Sequence, residues 1–387
     1  MKSLKQLALL AFVRAVEEKK YRGDAGDYLQ LALGETDLMR AVVALLARRK
    51  KLSSSTLRPF LHVVTSLDLS SASPSLRLEP TLRLAPHLTS LAVRSRLTDA
   101  VVPHLPGTLT VLDCSCCPRL TAVGLVALVK TCPRLVSLSC GWSHISSLDP
   151  LAGLADLDML DASRLLHLER ASVWPTRLKR LVLGGSGLQA VDCWPEELEL
   201  LDLSDCCALR SCAAFPATLR ELAAARVSLA CDEWLERAAG ACERLAWLDV
   251  SGTACRTVPW KFSRLQSLLL ERCSFDPCND LSFLSVLSLS GCVGVDLSRL
   301  ASRTPALTSL CLSSTSISDS QLLALLSTLP LLRLDVSFCQ DLSDEILSGC
   351  ERLVLLRIYG CPNVTLAALK AQATRCPGLR LCAPTSE

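Results

Sequence analysis

Aromatic side chains are scarce in this chain: six Trp, seven Phe and three Tyr make up 4% of 387 residues, while hydrophobic residues as a whole reach 50%. A core built almost wholly from aliphatic groups suits many small, similar layers better than one large interior, and the length already exceeds a typical single core. An excess of one charge is missing too. The balance of 41 Lys and Arg against 38 Asp and Glu leaves a formal +3, too little over this length for a phosphate-tracking surface, so nucleic acid is not an implied partner. Long apolar runs are also absent. The first, Leu7 to Val13, stops at Arg14, far short of the roughly 20 residues a membrane helix needs, and no membrane partner is expected.

The constellations that carry chemistry are missing as well. The histidines at 62, 87, 104, 144 and 167 have no Glu-x-x-His or paired spacing, and Cys114-x-Cys116-Cys117 and Cys206-Cys207 lack the paired Cys-x-x-Cys modules of a zinc site. Gly184-Gly185-x-Gly187 has no following Lys-Ser/Thr and reads as a turn after a strand, not a phosphate loop. No catalytic, metal-binding or cofactor-binding residue is expected, and the chain is read as not an enzyme.

What is present is self-similarity. The phrase Leu-x-x-Leu-x-Leu recurs after residue 60, in copies such as Leu109-x-x-Leu112-x-Cys114, Leu198-x-x-Leu201-x-Leu203 and Leu353-x-x-Leu356-x-Ile358. Aligned on the second Leu, it falls at 67, 91, 112, 138, 160, 181, 201, 222, 248, 268, 287, 310, 334 and 356, fourteen positions at gaps of 19 to 26. In a short strand the second and third Leu point inward and the residue between them outward. The expected fold is therefore an α/β leucine-rich-repeat solenoid, with a curved parallel sheet on its concave side and helices and loops on its convex side. A single turn cannot bury its own apolar side, so the array is stabilised by stacking and needs capped ends.

Three residues after the last strand Leu stands a small polar residue: Cys117, Cys206, Cys273, Cys292, Cys339 or Cys361 in six turns, and Ser143, Ser186, Thr253 or Thr315 in others. The slot has to satisfy backbone groups where the chain leaves the sheet. A second set, Cys132, Cys242, Cys350 and Cys376, stands three residues before a strand-opening Leu. An odd total of 21 cysteines recurring in repeat phase reads as buried reduced thiols. Cytoplasm or nucleus is the expected location. A secreted recognition protein is the third alternative, for which Lys2 and Lys5 before the first apolar run and the sequon Asn363-Val364-Thr365 are the only signals.

These features resemble the cysteine-containing subclass of leucine-rich repeats found in F-box-type ubiquitin-ligase receptors and in the antagonist-of-mitotic-exit-network family. Leu120-Thr121-Ala122-Val123-Gly124-Leu125, Ile317-Ser318-Asp319 and Leu342-Ser343-Asp344 carry the likeness. The middle turns depart from it: they are shorter and place a proline three residues before the strand, in Trp174-Pro175, Trp194-Pro195 and Phe215-Pro216. Helices are therefore expected over Thr121 to Thr131, Cys231 to Gly240 and Ser318 to Thr328, and loop or short 3₁₀ turns on the central convex side.

Residues 1–60 lack the phrase and read as helices forming an N-terminal cap, 61–382 as the solenoid and 383–387 as a tail. The spacing Ser3-Leu4-x-x-x-Ala8-x-x-x-Phe12 resembles the elongin-binding box of ubiquitin-ligase substrate receptors, and Leu57-Arg58-Pro59-Phe60 running into Leu67-Asp68-Leu69 resembles the helix-to-repeat junction of the zyg-11 group. That resemblance implies an elongin or other cullin adaptor on Leu4, Ala8 and Phe12. Ala8 replaces the usual Cys, and a cullin-selecting motif and an F-box pattern are both lacking. Arg48-Arg49-Lys50-Lys51 reads as a basic helix C-terminus rather than an import signal.

Protein recognition on the concave face is the function that remains. Asp68, Asp113, Asp161, Asp202, Asp249 and Asp335 form an outward acidic row with Arg357 in the same column. Large residues at other concave or rim slots are the candidate partner contacts: Trp142, Lys179, Arg180, Trp247, Arg333, Phe338 and Tyr359, together with Asp249, Asp335 and Arg357. The leading role is the substrate-recognition subunit of a cullin-type ubiquitin ligase. The alternative is a non-catalytic scaffold or regulator in signalling or cytoskeletal assembly.

Overall fold

A computed structural model describes residues 52–383, apart from positions 63, 74, 260, 277 and 278, together with Val43, Leu45 and Leu46. The chain divides into two units, Met1–Leu188 and Gln189–Glu387. Each is a leucine-rich-repeat coil, the α/β solenoid architecture expected from the phrase.

In the first unit, strands β1 (Ser66–Asp68), β2 (Ser90–Ala92), β3 (Val111–Asp113), β4 (Ser137–Ser139), β5 (Met159–Asp161) and β7 (Arg180–Val182) pair in parallel, with the two-residue β6 (Arg170–Ala171) outside that sheet. The register puts Leu67, Leu91, Leu112, Leu138, Leu160 and Leu181 side by side. In the second unit, β8 (Ala190–Val191) pairs with β10 (Ser211–Cys212). The main sheet there consists of β9 (Leu200–Asp202), β11 (Glu221–Ala223), β12 (Trp247–Asp249), β13 (Ser267–Leu269), β14 (Val286–Ser288), β15 (Ser309–Cys311), β16 (Arg333–Asp335), β17 (Leu355–Arg357) and β18 (Arg380–Cys382). Its register runs from Leu201 to Leu381, the last strand being one beyond the fourteen that the phrase marks.

The register leucines from Leu67 to Leu356 are almost fully buried, while Leu381 on the last strand is half-buried; a fully buried Leu contributes roughly 1.5–3 kcal/mol, realised only when the next turn covers it. The strands stop after three residues because the backbone then turns sharply. Four residues past the register Leu the chain is left-handed in turn after turn: at Ser95, Cys116, Trp142, Arg164 and Gly185 in the first unit, and at Asp205, Arg226, Gly252, Arg272, Gly291, Ser314, Phe338 and Gly360 in the second. The acidic row sets up this turn. Asp68, Asp113, Asp161, Asp202, Asp249 and Asp335 each accept the backbone N–H of the serine two residues on, at 2.8–3.1 Å. This is the Asx-turn that a short carboxylate favours.

The cysteine slot follows one residue later. The thiols of Cys117, Cys273, Cys292, Cys339 and Cys361 donate to the carbonyls of Val93, Val250, Leu270, Leu312 and Val336, the equivalent position one turn back, at 2.9–3.7 Å. Thr253 and Thr315 in the same slot bond instead to the carbonyl of their own turn. The longer thiol side chain links neighbouring turns; the hydroxyl closes one turn on itself.

On the far side of the coil the first unit carries α1 (Ser54–Leu57), α2 (Leu78–Arg83) and α3 (Ala122–Thr131), and the second α4 (Asp232–Ala241), α5 (Leu297–Arg303), α6 (Asp319–Thr328) and α7 (Leu366–Arg375). Helices α3, α4 and α6 fall where the long turns predict them, with Thr121 and Ser318 as side-chain N-caps. The Ser/Thr-Asp phrase acts between turns. Asp99 accepts both the N–H and the hydroxyl of Thr121, Asp319 does the same for Ser343, and Asp344 for Thr365.

The central turns hold no helix, as expected, but they are not bare loop. Trp194 stacks on Phe215 at 5.8 Å, and Phe215 meets Trp234 edge-on at 5.2 Å. All three are buried, and the indole N–H of Trp194 donates to the Ala213 carbonyl. The aromatic before each proline thus fills the layer that a helix's apolar side fills elsewhere.

Candidate functional site

The open face of each sheet is where side chains are free to meet a partner, since the other face is the core. Two aromatics at its margin are unusual. Trp142 and Phe338 both occupy the left-handed position (φ 58° and 61°) yet are 59% and 56% exposed. A bulky residue costs about 1–2 kcal/mol there, and neither recovers this by burial. Strain kept with exposure points to use of the side chain rather than to packing. The Arg164 guanidinium lies 5.4 Å from the Trp142 ring centroid, a cation–π contact one turn on. Phe338 lies over Gly360 in the following turn.

The other predicted residues fall into three places. In the first unit Lys179 is half-buried just before β7, and Arg180 is exposed but bound to Asp158 at 2.5 Å. In the second, Trp247 and Asp249 sit half-buried on β12, where Asp249 is occupied by the Ser251 N–H at 2.9 Å. Arg333, Asp335, Phe338, Arg357 and Tyr359 come together on β16, β17 and the turns after them. There Arg357 stands 3.9 Å from Asp335, Phe338 N–H donates to the Tyr359 carbonyl at 2.6 Å, and Tyr359 N–H to the Ser337 hydroxyl at 3.2 Å. Arg380 on β18 and Leu332 and Val354 at the strand entries, all exposed, belong to the same patch. The register count shows Arg380 only once β18 is recognised. Leu4, Ala8 and Phe12 lie outside the described residues.

The acidic row is less available than its position suggests. Burial alone would raise the Asp113 carboxyl, but hydrogen bonds from Ser115 and the Arg94 guanidinium outweigh it and hold the group below its ordinary range. The thiols are shifted the other way. Burial pushes Cys132, Cys242, Cys255 and Cys350 up to about 12, so at neutral pH they are protonated and poor nucleophiles. Among the described residues no cluster of three or more His, Cys, Asp or Glu is placed to hold a metal ion, and no helix is long and apolar enough to cross a membrane.

Neither a protein-family model nor a curated protein sequence matches this chain. Solved structures do. An internalin from Listeria monocytogenes is 18% identical, covering 93% of this chain and 97% of its own, with a TM-score of 0.48. TLR13, solved with the RNA ssRNA13, is 18% identical over 84% of this chain and 55% of its own, at a TM-score of 0.50. A chain of the yeast Rad7–Elc1 complex is 16% identical over 98% of both, at 0.42. At such identities the likeness is one of fold: the leucine-rich-repeat solenoid.

Proposed function

We propose that this protein is a non-catalytic recognition subunit that holds other proteins on the open face of its sheets. The observation that carries the reading is the exposure of Trp142 and Phe338 from a strained backbone, in a chain with few aromatics to spare. Aromatics and arginines are the usual anchors of protein interfaces, and Arg333, Arg357 and Tyr359 lie on the same turn as Phe338 or the next.

The specific role proposed is substrate recognition within a cullin-type ubiquitin ligase, in the cytoplasm or nucleus. Residues 1–60 would cap the first turn and present Leu4, Ala8 and Phe12 to an elongin or other cullin adaptor. This finer role rests on the N-terminal spacing and on the cysteine-containing repeats. The test is affinity purification from a eukaryotic lysate with three forms of the full chain. The intact chain should carry adaptor and partners, Leu4→Ser/Phe12→Ser partners without adaptor, and Trp142→Ala/Phe338→Ala adaptor without partners. An adaptor absent from all three would sink the ligase role; partners unaffected by the aromatic changes would sink the surface.

A further inference from the structure

The last strands of the second unit gather cations with little carboxylate beside them. At several other turns a guanidinium lies close against a carboxylate of a neighbouring turn, Arg94 with Asp113 at 2.6 Å, Arg180 with Asp158 at 2.5 Å and Arg226 with Asp205 at 2.5 Å, while Arg220 reaches Glu199 only at 3.8 Å. Among the described residues Arg333 and Arg380 have no carboxylate within salt-bridge distance, and Arg357 reaches Asp335 only at 3.9 Å. Asp335 is itself held by the Ser337 N–H at 3.0 Å. It is the sole acid on the open face of β16, β17 and β18, whose outward residues are Arg333, Asp335, Leu355, Arg357, Arg380 and Cys382. Three cations therefore face one committed anion.

We infer that this patch receives an acidic, extended segment of a partner protein, its carboxylates on Arg333, Arg357 and Arg380. The inference rests on the open-face reading above and specifies the partner's chemistry. In-register strands lie about 4.8 Å apart, which places Arg333 and Arg380 about 10 Å apart at one level, with Arg357 on the strand between them about 7 Å further along. An extended peptide repeats its side chains on one face every ~6.8 Å, so carboxylates two residues apart match that stagger. The margins are apolar. Leu332 and Val354 are 46% and 51% exposed at the strand entries, and Tyr359 stands on the opposite margin. Apolar residues beside the acids of the segment would cover them, and guanidinium forks favour carboxylates for bidentate pairing.

The experiment is fluorescence anisotropy of the full chain with a labelled short Glu-rich peptide carrying spaced Leu, beside the same peptide with Gln for Glu. The Glu peptide should bind and weaken as salt rises. Binding should fall about tenfold or more with the Gln peptide and with Arg333→Glu/Arg380→Glu. Arg333→Gln/Arg380→Gln, with a melting curve for each variant, separates lost charge from lost folding, and Arg303→Gln, exposed on α5 away from the open face, should leave binding unchanged. Equal binding by the charge-reversed chain, equal binding of the Gln peptide, or equal affinity for an oligonucleotide overturns the inference. If the peptide is ignored while Trp142→Ala/Phe338→Ala still strips partners in the purification, the acidic-segment inference fails and the open-face reading stands; if neither effect is seen, both fail.

Discussion

The ring of Phe338 lies across the backbone of Gly360 one turn later, so close that a Cβ added to Gly360 would stand 2.5 Å from the ring's Cδ1. Arg164 over Gly185, Arg226 over Gly252 and Arg272 over Gly291 repeat the arrangement within their own units. Glycine at the left-handed position thus does two things: it accepts φ near +62° and leaves room for the neighbour's side chain. Gly360→Ala is expected to lower stability by about 1–2 kcal/mol from the backbone alone, and further from the clash. Urea melts of Gly360→Ala and of Gly360→Ala/Phe338→Ala should differ, the second recovering the clash component; identical loss in both would disprove the contact.

Phe338→Gly should be neutral or stabilising in the same melts, because it removes about 1 kcal/mol of left-handed strain and only an exposed ring. It should nevertheless weaken partner capture. A variant that is clearly less stable would mean the ring is packed for structure.

The carboxylate of each Asp in the acidic row accepts the N–H of the serine two residues on. Asp161→Ala should cost about 1–2 kcal/mol, since the Ser163 N–H loses a charged acceptor, while Asp161→Asn keeps an acceptor and should cost less. Equal losses for Ala and Asn would show that the turn does not depend on the bond.

Asp99 joins two turns by accepting from both the N–H and the hydroxyl of Thr121. Asp99→Ala should cost about 2–3 kcal/mol, well above Thr121→Ser, which keeps the N–H, the hydroxyl and the α3 N-cap. Asp319→Ala should likewise cost more than Ser343→Thr.

Alkaline pH should destabilise the protein. A buried thiol whose value rises from near 9 to about 12 binds its proton more tightly when folded than when unfolded. Its contribution is complete below pH 9 and is lost between about 9 and 12. Each such thiol adds up to about 1.4 kcal/mol per pH unit to the slope in that window. Urea midpoints should fall between pH 9 and 11, less steeply in Cys132→Ala/Cys242→Ala. At pH 7 an alkylating reagent should modify the exposed Cys116 and Cys207 and spare Cys132 and Cys242 until the chain unfolds.

Much of this architecture was legible because one spacing rule governs it. The register leucines, the helices α3, α4 and α6 and the thiol slot all follow from alternation in a three-residue strand and from the need to satisfy the chain as it leaves the sheet. The last strand is marked only by Cys376 and Leu379, which place its opening one residue off: Leu381 is in register with Leu356, so Gly378 stands where the opening Leu belongs and the phrase is broken. The left-handed position hid because glycine fills it at only a few turns; Ser, Cys, Trp, Arg, Asp and Phe elsewhere give no common letter to find. The Asp-x-Ser triplets were visible, but an outward Asp reads as solvated until its backbone partner is known. Arg380 and the apolar margin at Leu332 and Val354 escaped for a different reason: recognition follows from adjacency between turns, which no spacing within one turn expresses.

The thiol bonds also give the array a direction. In the second unit each donor sits on the later turn and each acceptor on the earlier one. Stripping these four turns from the C-terminal side therefore bares a strong carbonyl acceptor at each, whereas stripping them from the other side bares only a weak S–H. The two ends should fray at unequal rates, so a pulled molecule would unravel with a polarity, yielding first from the end that leaves the cheaper wound.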